Sequence, residues 1–250
     1  MTTLTRFAFR LALGLLVTGT AFSQTAGREW VRPGYYRQLK PVRLQHQVAQ
    51  MLARDAENPP SSQGVIFAGS STIAGWDLKH YFAQYRTLNR GIDDSLVSDV
   101  AFYVDRLVVP FKPSTIVLYA GDNDIAYGMT PDRVAADFSA LIAKIHAASP
   151  KSEILILSLR PTIARAAAWE AVRTANEKLA AMVTGDPKLQ FVDLTDLLLA
   201  PDGTPARDLL ADDLQHLNDD GFALVSNVVK RAVQQSEGRY WRGYNGPPCQ

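Results

Sequence analysis

The chain has 250 residues, 47% apolar and 20% charged, with 26 basic against 25 acidic side chains and a formal net charge of +1. This is ordinary globular composition, and the chain is long enough to bury a sizeable core without disulfide staples. With charge nearly balanced and no block of like sign, nothing supports a polyanion-binding surface or a nucleic-acid partner.

The N-terminal segment differs from the rest. Arg6 and Arg10 precede an apolar run over residues 11–22, and Ala21 and Ser23 are spaced like the small residues of a cleavage site. The pattern predicts an export signal over residues 1–23, leaving one domain over 24–250 in a periplasmic or secreted protein. The run is about half of the ~20 residues that span a bilayer, so no stable membrane span is expected after its removal. Removal takes away two arginines and no acid, and the net charge goes from +1 to −1. No cysteine follows the run, which argues against a lipid anchor.

A helix is predicted over residues 41–57, with Leu44, Val48, Met51 and Leu52 on one side. A Pro/Ser loop leads to a first strand, "VIFAG" (65–69). Four more strand candidates follow: "YRTLN" (85–89), "TIVLYA" (115–120), "EILILSL" (153–159) and "LQFVDL" (189–194). Three of the five are continuous apolar runs, as in strands covered on both faces. Helices are predicted over 130–149, with Thr130 as cap and Pro131 at the first helical position, and over 166–183. The last, over 218–235, is capped by Asn218 with Asp219 and Asp220 in its first turn. A Gly/Pro/aromatic tail begins at about residue 237 and contains Cys249, the single cysteine, so no intrachain disulfide can form. Strands alternating with helices predict a doubly wound α/β domain with about five parallel strands.

In such a sheet, ligands bind beyond the carboxyl ends of the strands. The first strand ends at Gly69, Ser70 and Ser71; the second leads into residues 89–95 and the third into 120–128. Just before the last helix, Asp213 and His216 are three apart, so one turn aims both side chains the same way. The carboxylate then accepts from Nδ1 and leaves Nε2 as a general base. A serine hydroxyl is a weak nucleophile until such a base removes its proton, and Ser71 is the expected partner. The backbone N–H groups of Ser71 and Gly91 and the side-chain amide of Asn123 are the expected donors to the oxyanion.

Four separated blocks, "FAGSSTI", "NRG", "GDND" and "DLQH", resemble those of the SGNH hydrolases, also called GDSL-type lipases and acylhydrolases. The resemblance spans about residues 40–235. It implies a flavodoxin-like three-layer α/β/α sandwich and an acyl-enzyme on Ser71. Hydrolysis would then use Asp213 and His216, Gly91 and Asn123, and no metal or cofactor. The implied substrate is a small-molecule, carbohydrate or lipid ester, and a short acyl chain is expected because no long apolar lid insertion is visible in the sequence. Two positions depart from the family pattern: Ser70 stands where an aspartate is usual, and Asp94 where a glycine is common. The rival reading is a degenerate esterase that binds a glycan or lipid without turnover. A nucleotide-binding module is set aside, since no Gly-x-Gly-x-x-Gly or P-loop follows the first strand.

Other residues read as structural. His46, His80 and His146 fall on helical segments as surface or packing side chains. Asp93, Asp94, Asp122 and Asp124 read as loop caps, not metal ligands. Arg160 and Arg165 read as a solvated loop, and Trp76 as either core or pocket wall.

Overall fold

The computed structural model describes residues 34–242; the expected export signal over residues 1–23 and Cys249 lie outside them. A short 3-10 turn over Pro41–Leu44 opens helix α1 (Gln45–Glu57). There follow β1 (Val65–Gly69), short helices α2 (Ser71–Ala74) and α3 (Leu78–Tyr81), β2 (Thr87–Gly91) and α4 (Val97–Leu107). Next come β3 (Thr115–Tyr119), α5 (Asp122–Ala126), α6 (Pro131–Ala148) and β4 (Glu153–Leu157). The order closes with α7 (Trp169–Met182), β5 (Leu189–Val192) and α8 (Asp219–Arg242).

The five strands form one sheet in the order β2-β1-β3-β4-β5, and every neighbouring pair is parallel. Alternate residues feed opposite faces, as the pleat requires. Ile66, Ala68, Ile116, Leu118, Ile154 and Ile156 point into a core with α1, α4, α6 and α7. Val65, Phe67, Val117, Tyr119, Leu155 and Leu157 point into a second core with Trp76, Phe82 and the α8 residues Val225 and Val229. Burial on both faces explains the continuous apolar runs, and the expected three-layer sandwich forms. The strand order reverses between β1 and β3, the position beyond whose carboxyl ends open α/β sheets bind ligands.

Three differences from the sequence reading bear on the architecture. The second strand runs over Thr87–Gly91, two residues later than read, because a charged residue is buried in it. Arg90 pairs with Asp55 at 2.6 Å and donates to the Leu107 carbonyl. Helix α4, absent from the sequence reading, buries Val97, Val100, Val104 and Leu107 along one stripe. Asp99 caps it by accepting the Leu96 N–H at 2.9 Å. Helix α8 continues to Arg242, past the expected start of the tail. Glu237 accepts from the Ser114 and Thr115 hydroxyls and Arg239 pairs with Glu153, so its polar last turns are tied to the sheet. Among the described residues, no helix is long and apolar enough to cross a membrane.

Candidate active site

Ser71 is the first residue of α2, directly after β1. The chain turns there on Gly69, whose φ is +151° and whose Cβ, if present, would lie 1.8 Å from the Tyr119 carbonyl oxygen. Only glycine permits this approach of β1 to the end of β3. As the opening residue of a helix, Ser71 has no intrahelical acceptor for its N–H. Ser70 is fully buried and turns its hydroxyl toward Asp122 at 3.5 Å. Of the two serines, it is therefore Ser71 that faces the imidazole.

The Ser71 Oγ lies 2.9 Å from Nε2 of His216, across 145 positions of sequence. The other ring nitrogen, Nδ1, is 2.6 Å from Asp213 Oδ2. Asp213 Oδ1 accepts the backbone N–H groups of Gln215 and His216 at 3.0 and 2.9 Å. One carboxylate oxygen thus shapes the turn and the other orients the ring. Leu214, at the bend, takes a φ of +59°. Partial burial pushes the Asp213 carboxyl up, but the hydrogen bonds from the His216 ring and the two backbone N–H groups outweigh it and hold it at about 2. An ionised Asp213 keeps the proton of the neutral ring on Nδ1, which leaves the Nε2 lone pair facing Ser71. Such a relay can take a proton from a hydroxyl.

Asn123, the second residue of α5, is buried at the neighbouring strand end. Its Nδ2 donates to the Ser95 carbonyl at 3.1 Å, and its Oδ1 accepts from Arg165 Nη2 at 2.8 Å. The amide is held from both sides, with one Nδ2 proton left over. Gly91 requires a correction. Its N–H, expected to face an oxyanion, donates to Asn89 Oδ1 at 2.9 Å. Its lack of a side chain serves packing instead, since a Cβ would lie 2.1 Å from the Ala74 nitrogen.

Arg160 and Arg165 also differ from their reading as a solvated loop: they are 4% and 8% exposed, beneath the site. Arg165 pairs with Asp122 at 3.0 Å, and Gln215 Nε2 reaches the same carboxylate at 3.4 Å. Arg160 donates to the Gln215 carbonyl and to Thr72 Oγ1, both at 2.7 Å, with its guanidinium over the Tyr119 ring. No local spacing marks these residues in the sequence, because their partners lie 42 to 88 positions away.

The remaining candidates resolve as structural. Trp76 is core, stacked edge-on to Phe67 and Phe82 and donating to Ser226 Oγ at 2.9 Å. His46 and His80 are exposed, and His146 faces Asp186 on the last turn of α6. The four acids have separate partners. Asp93 exchanges backbone bonds with Gln47, Asp94 accepts from the Tyr127 hydroxyl, Asp122 pairs with Arg165, and Asp124 accepts the Val97 N–H.

Comparisons with known proteins bear on the family and the fold. Residues 23–224 match the GDSL-like Lipase/Acylhydrolase family. Platelet-activating factor acetylhydrolase IB subunit alpha1 of Bos taurus is 23% identical over 197 residues, covering 74% of this chain and 82% of its own. In fold, a GDSL-like lipase from Bacteroides thetaiotaomicron matches with a TM-score of 0.67 at 17% identity, covering 76% of this chain and 98% of that one. The lipase/acylhydrolase from Enterococcus faecalis matches with a TM-score of 0.56 at 19% identity, covering 71% and 96%. A doubly wound sheet, four sequence blocks meeting at its carboxyl edge and a family match over most of the length lead to one conclusion: the chain belongs to the GDSL-like lipase/acylhydrolase family.

Proposed function

We propose that the protein is an exported serine esterase that cleaves a short-chain carboxylic ester through an acyl-enzyme on Ser71. The observation that carries the reading is the unbroken line from Ser71 Oγ to His216 Nε2 at 2.9 Å and from Nδ1 to Asp213 at 2.6 Å. The first two residues of that line are drawn from opposite ends of the chain.

In the proposed reaction, His216 Nε2 takes the Ser71 proton as Oγ attacks the ester carbonyl carbon. The carbonyl oxygen becomes an oxyanion, met by the Ser71 N–H and the remaining Nδ2 proton of Asn123. The bond to the alcohol oxygen breaks, and the alcohol leaves with the proton held by His216. Water then attacks the acyl-enzyme, again with His216 as base, and releases the acid while Ser71 regains its proton. Asp213 stays ionised throughout and stabilises the imidazolium.

The bovine relative is named an acetylhydrolase, which supports a short acyl group. The N-terminal pattern of two arginines, an apolar run and small residues supports export. The test is labelling with a fluorophosphonate probe, together with turnover of a panel of nitrophenyl esters and acetylated sugars. Labelling lost in Ser71→Ala and retained in Ser70→Ala, with acetyl esters turned over fastest, is the expected result. Native protein that resists the probe and hydrolyses no ester would instead be a binding module.

A further inference from the structure

Arg160 stands out among the buried charges. Arg90, Arg165 and Glu153 each have an oppositely charged partner within 3.0 Å, whereas among the described residues no carboxylate lies within 4.0 Å of Arg160. Its contacts are neutral: the Gln215 carbonyl, the Thr72 hydroxyl and the face of Tyr119. Its Nε is buried with no hydrogen-bond partner. Burying a guanidinium against neutral groups alone is a poor way to gain stability, so the value of this arrangement lies in what it connects.

The connection is specific. Thr72 follows Ser71, and Gln215 precedes His216. Arg160 reaches the first across 88 positions and the second across 55, with both bonds at 2.7 Å. The loop that carries it, between β4 and α7, holds the histidine turn at two further points. The Ala164 N–H donates to the Leu214 carbonyl at 3.1 Å, and the Thr162 hydroxyl donates to Gln215 Oε1 at 3.1 Å. Among the described residues of that loop, Arg160 is the one that bonds directly to both the histidine turn and the serine turn, while Arg165 and Gln215 reach Ser70 through Asp122. The planar fork of Arg160 can serve two acceptors at fixed angles, which an ammonium on a flexible stem cannot.

We infer that Arg160 is a positioning residue of the hydrolase, a buried clamp that sets the Ser71–His216 separation by holding the neighbour of each. The clamp touches no substrate and acts through Thr72 and Gln215. It rests on the serine-esterase reading above.

The test uses full-length protein with Arg160→Met, Arg160→Lys, Thr72→Val and Thr72→Ser, each checked for folding by circular dichroism. For nitrophenyl acetate, kcat is expected to fall about 30- to 100-fold in the Arg160 variants and about 5- to 10-fold in Thr72→Val, with KM within about twofold. Fluorophosphonate labelling slows by the same factors, and Thr72→Ser, which keeps the acceptor oxygen, recovers native rates. Crystal structures of the variants provide a readout independent of turnover: the Ser71–His216 distance opens beyond hydrogen-bonding range. If the Arg160 variants do not fold, Thr72→Val against Thr72→Ser decides. Rates within about twofold of native in Thr72→Val and in any folded Arg160 variant overturn the inference, as does a loss carried by KM. Native protein inert to esters and probe would overturn the esterase reading; the variant crystal distances then judge the clamp separately.

Discussion

Arg165 Nη2 donates to Asn123 Oδ1 at 2.8 Å across 42 positions, so a buried guanidinium orients the amide offered to the oxyanion in the proposed reaction. Asn123→Ala removes the donor and is expected to lower kcat by about 10²–10³, or about 2.7–4 kcal/mol, with little change in KM. Arg165→Lys keeps the charge beside Asp122 but loses the second prong, and a smaller loss in kcat is expected. Steady-state kinetics on one aryl acetate measure both.

The Asp213–His216 pair predicts a simple pH profile. With Asp213 held at about 2, its carboxylate stays ionised across the working range, and because a general base acts in its unprotonated form, kcat/KM is expected to rise with pH. Asp213→Asn turns an amide N–H toward Nδ1 and favours the wrong tautomer, for an expected loss in kcat of about 10⁴. The same depressed carboxyl has a stability consequence. Because its folded value lies below its unfolded one of about 3.9, its contribution is full above that pH and is lost as pH falls through about 2. Thermal melts of native and Asp213→Asn protein between pH 2 and 6 should converge at the acid end.

Asp124 has the opposite sign. Burial pushes its carboxyl up to about 8, and Asp122 adds to the rise, while the Val97 N–H at 3.2 Å pulls against it. The folded state therefore binds this proton more tightly than the unfolded one. The associated stability is full below about pH 4 and is lost as pH rises toward 8. Asp124→Asn keeps an acceptor for Val97 and cannot titrate. Urea unfolding should show a flatter decline between pH 5 and 8 in the variant than in the native protein.

Gly69 and Gly91 are among the glycines that sit where backbone meets backbone. A Cβ at Gly69 would lie 1.8 Å from the Tyr119 oxygen, and one at Gly91 would lie 2.1 Å from the Ala74 nitrogen. Neither neighbour is a flexible side chain that can move aside. Gly69→Ala and Gly91→Ala are each expected to cost about 3 kcal/mol. Gly185→Ala, at a φ of +89° with nothing within 4 Å, isolates the backbone term and should cost about 1 kcal/mol. Denaturant midpoints of the three variants measure the difference.

The sequence by itself determined the α/β class and the parallel sheet, because burial on both faces writes unbroken apolar runs such as "TIVLY" and "EILIL". It also marked Ser71, Asp213, His216 and Asn123. The Asp213–His216 pair is a matter of one turn, and each of the other two stands just after a strand. It misjudged the second strand and overlooked α4, since Arg90 is polar in composition yet buried by its pairing with Asp55, and α4 shows no strong cap before its first residue.

Tertiary structure alone decided how Asn123 is oriented and that the Gly91 N–H is taken by Asn89. It alone drew Arg160 and Arg165 out of solvent and beneath the site. The reason is one of range. Periodicity and spacing report interactions within a turn or along a strand, whereas these contacts join loops dozens of positions apart. The order and twist of the parallel strands bring those loops to one edge, and no local pattern records which neighbour a side chain meets there.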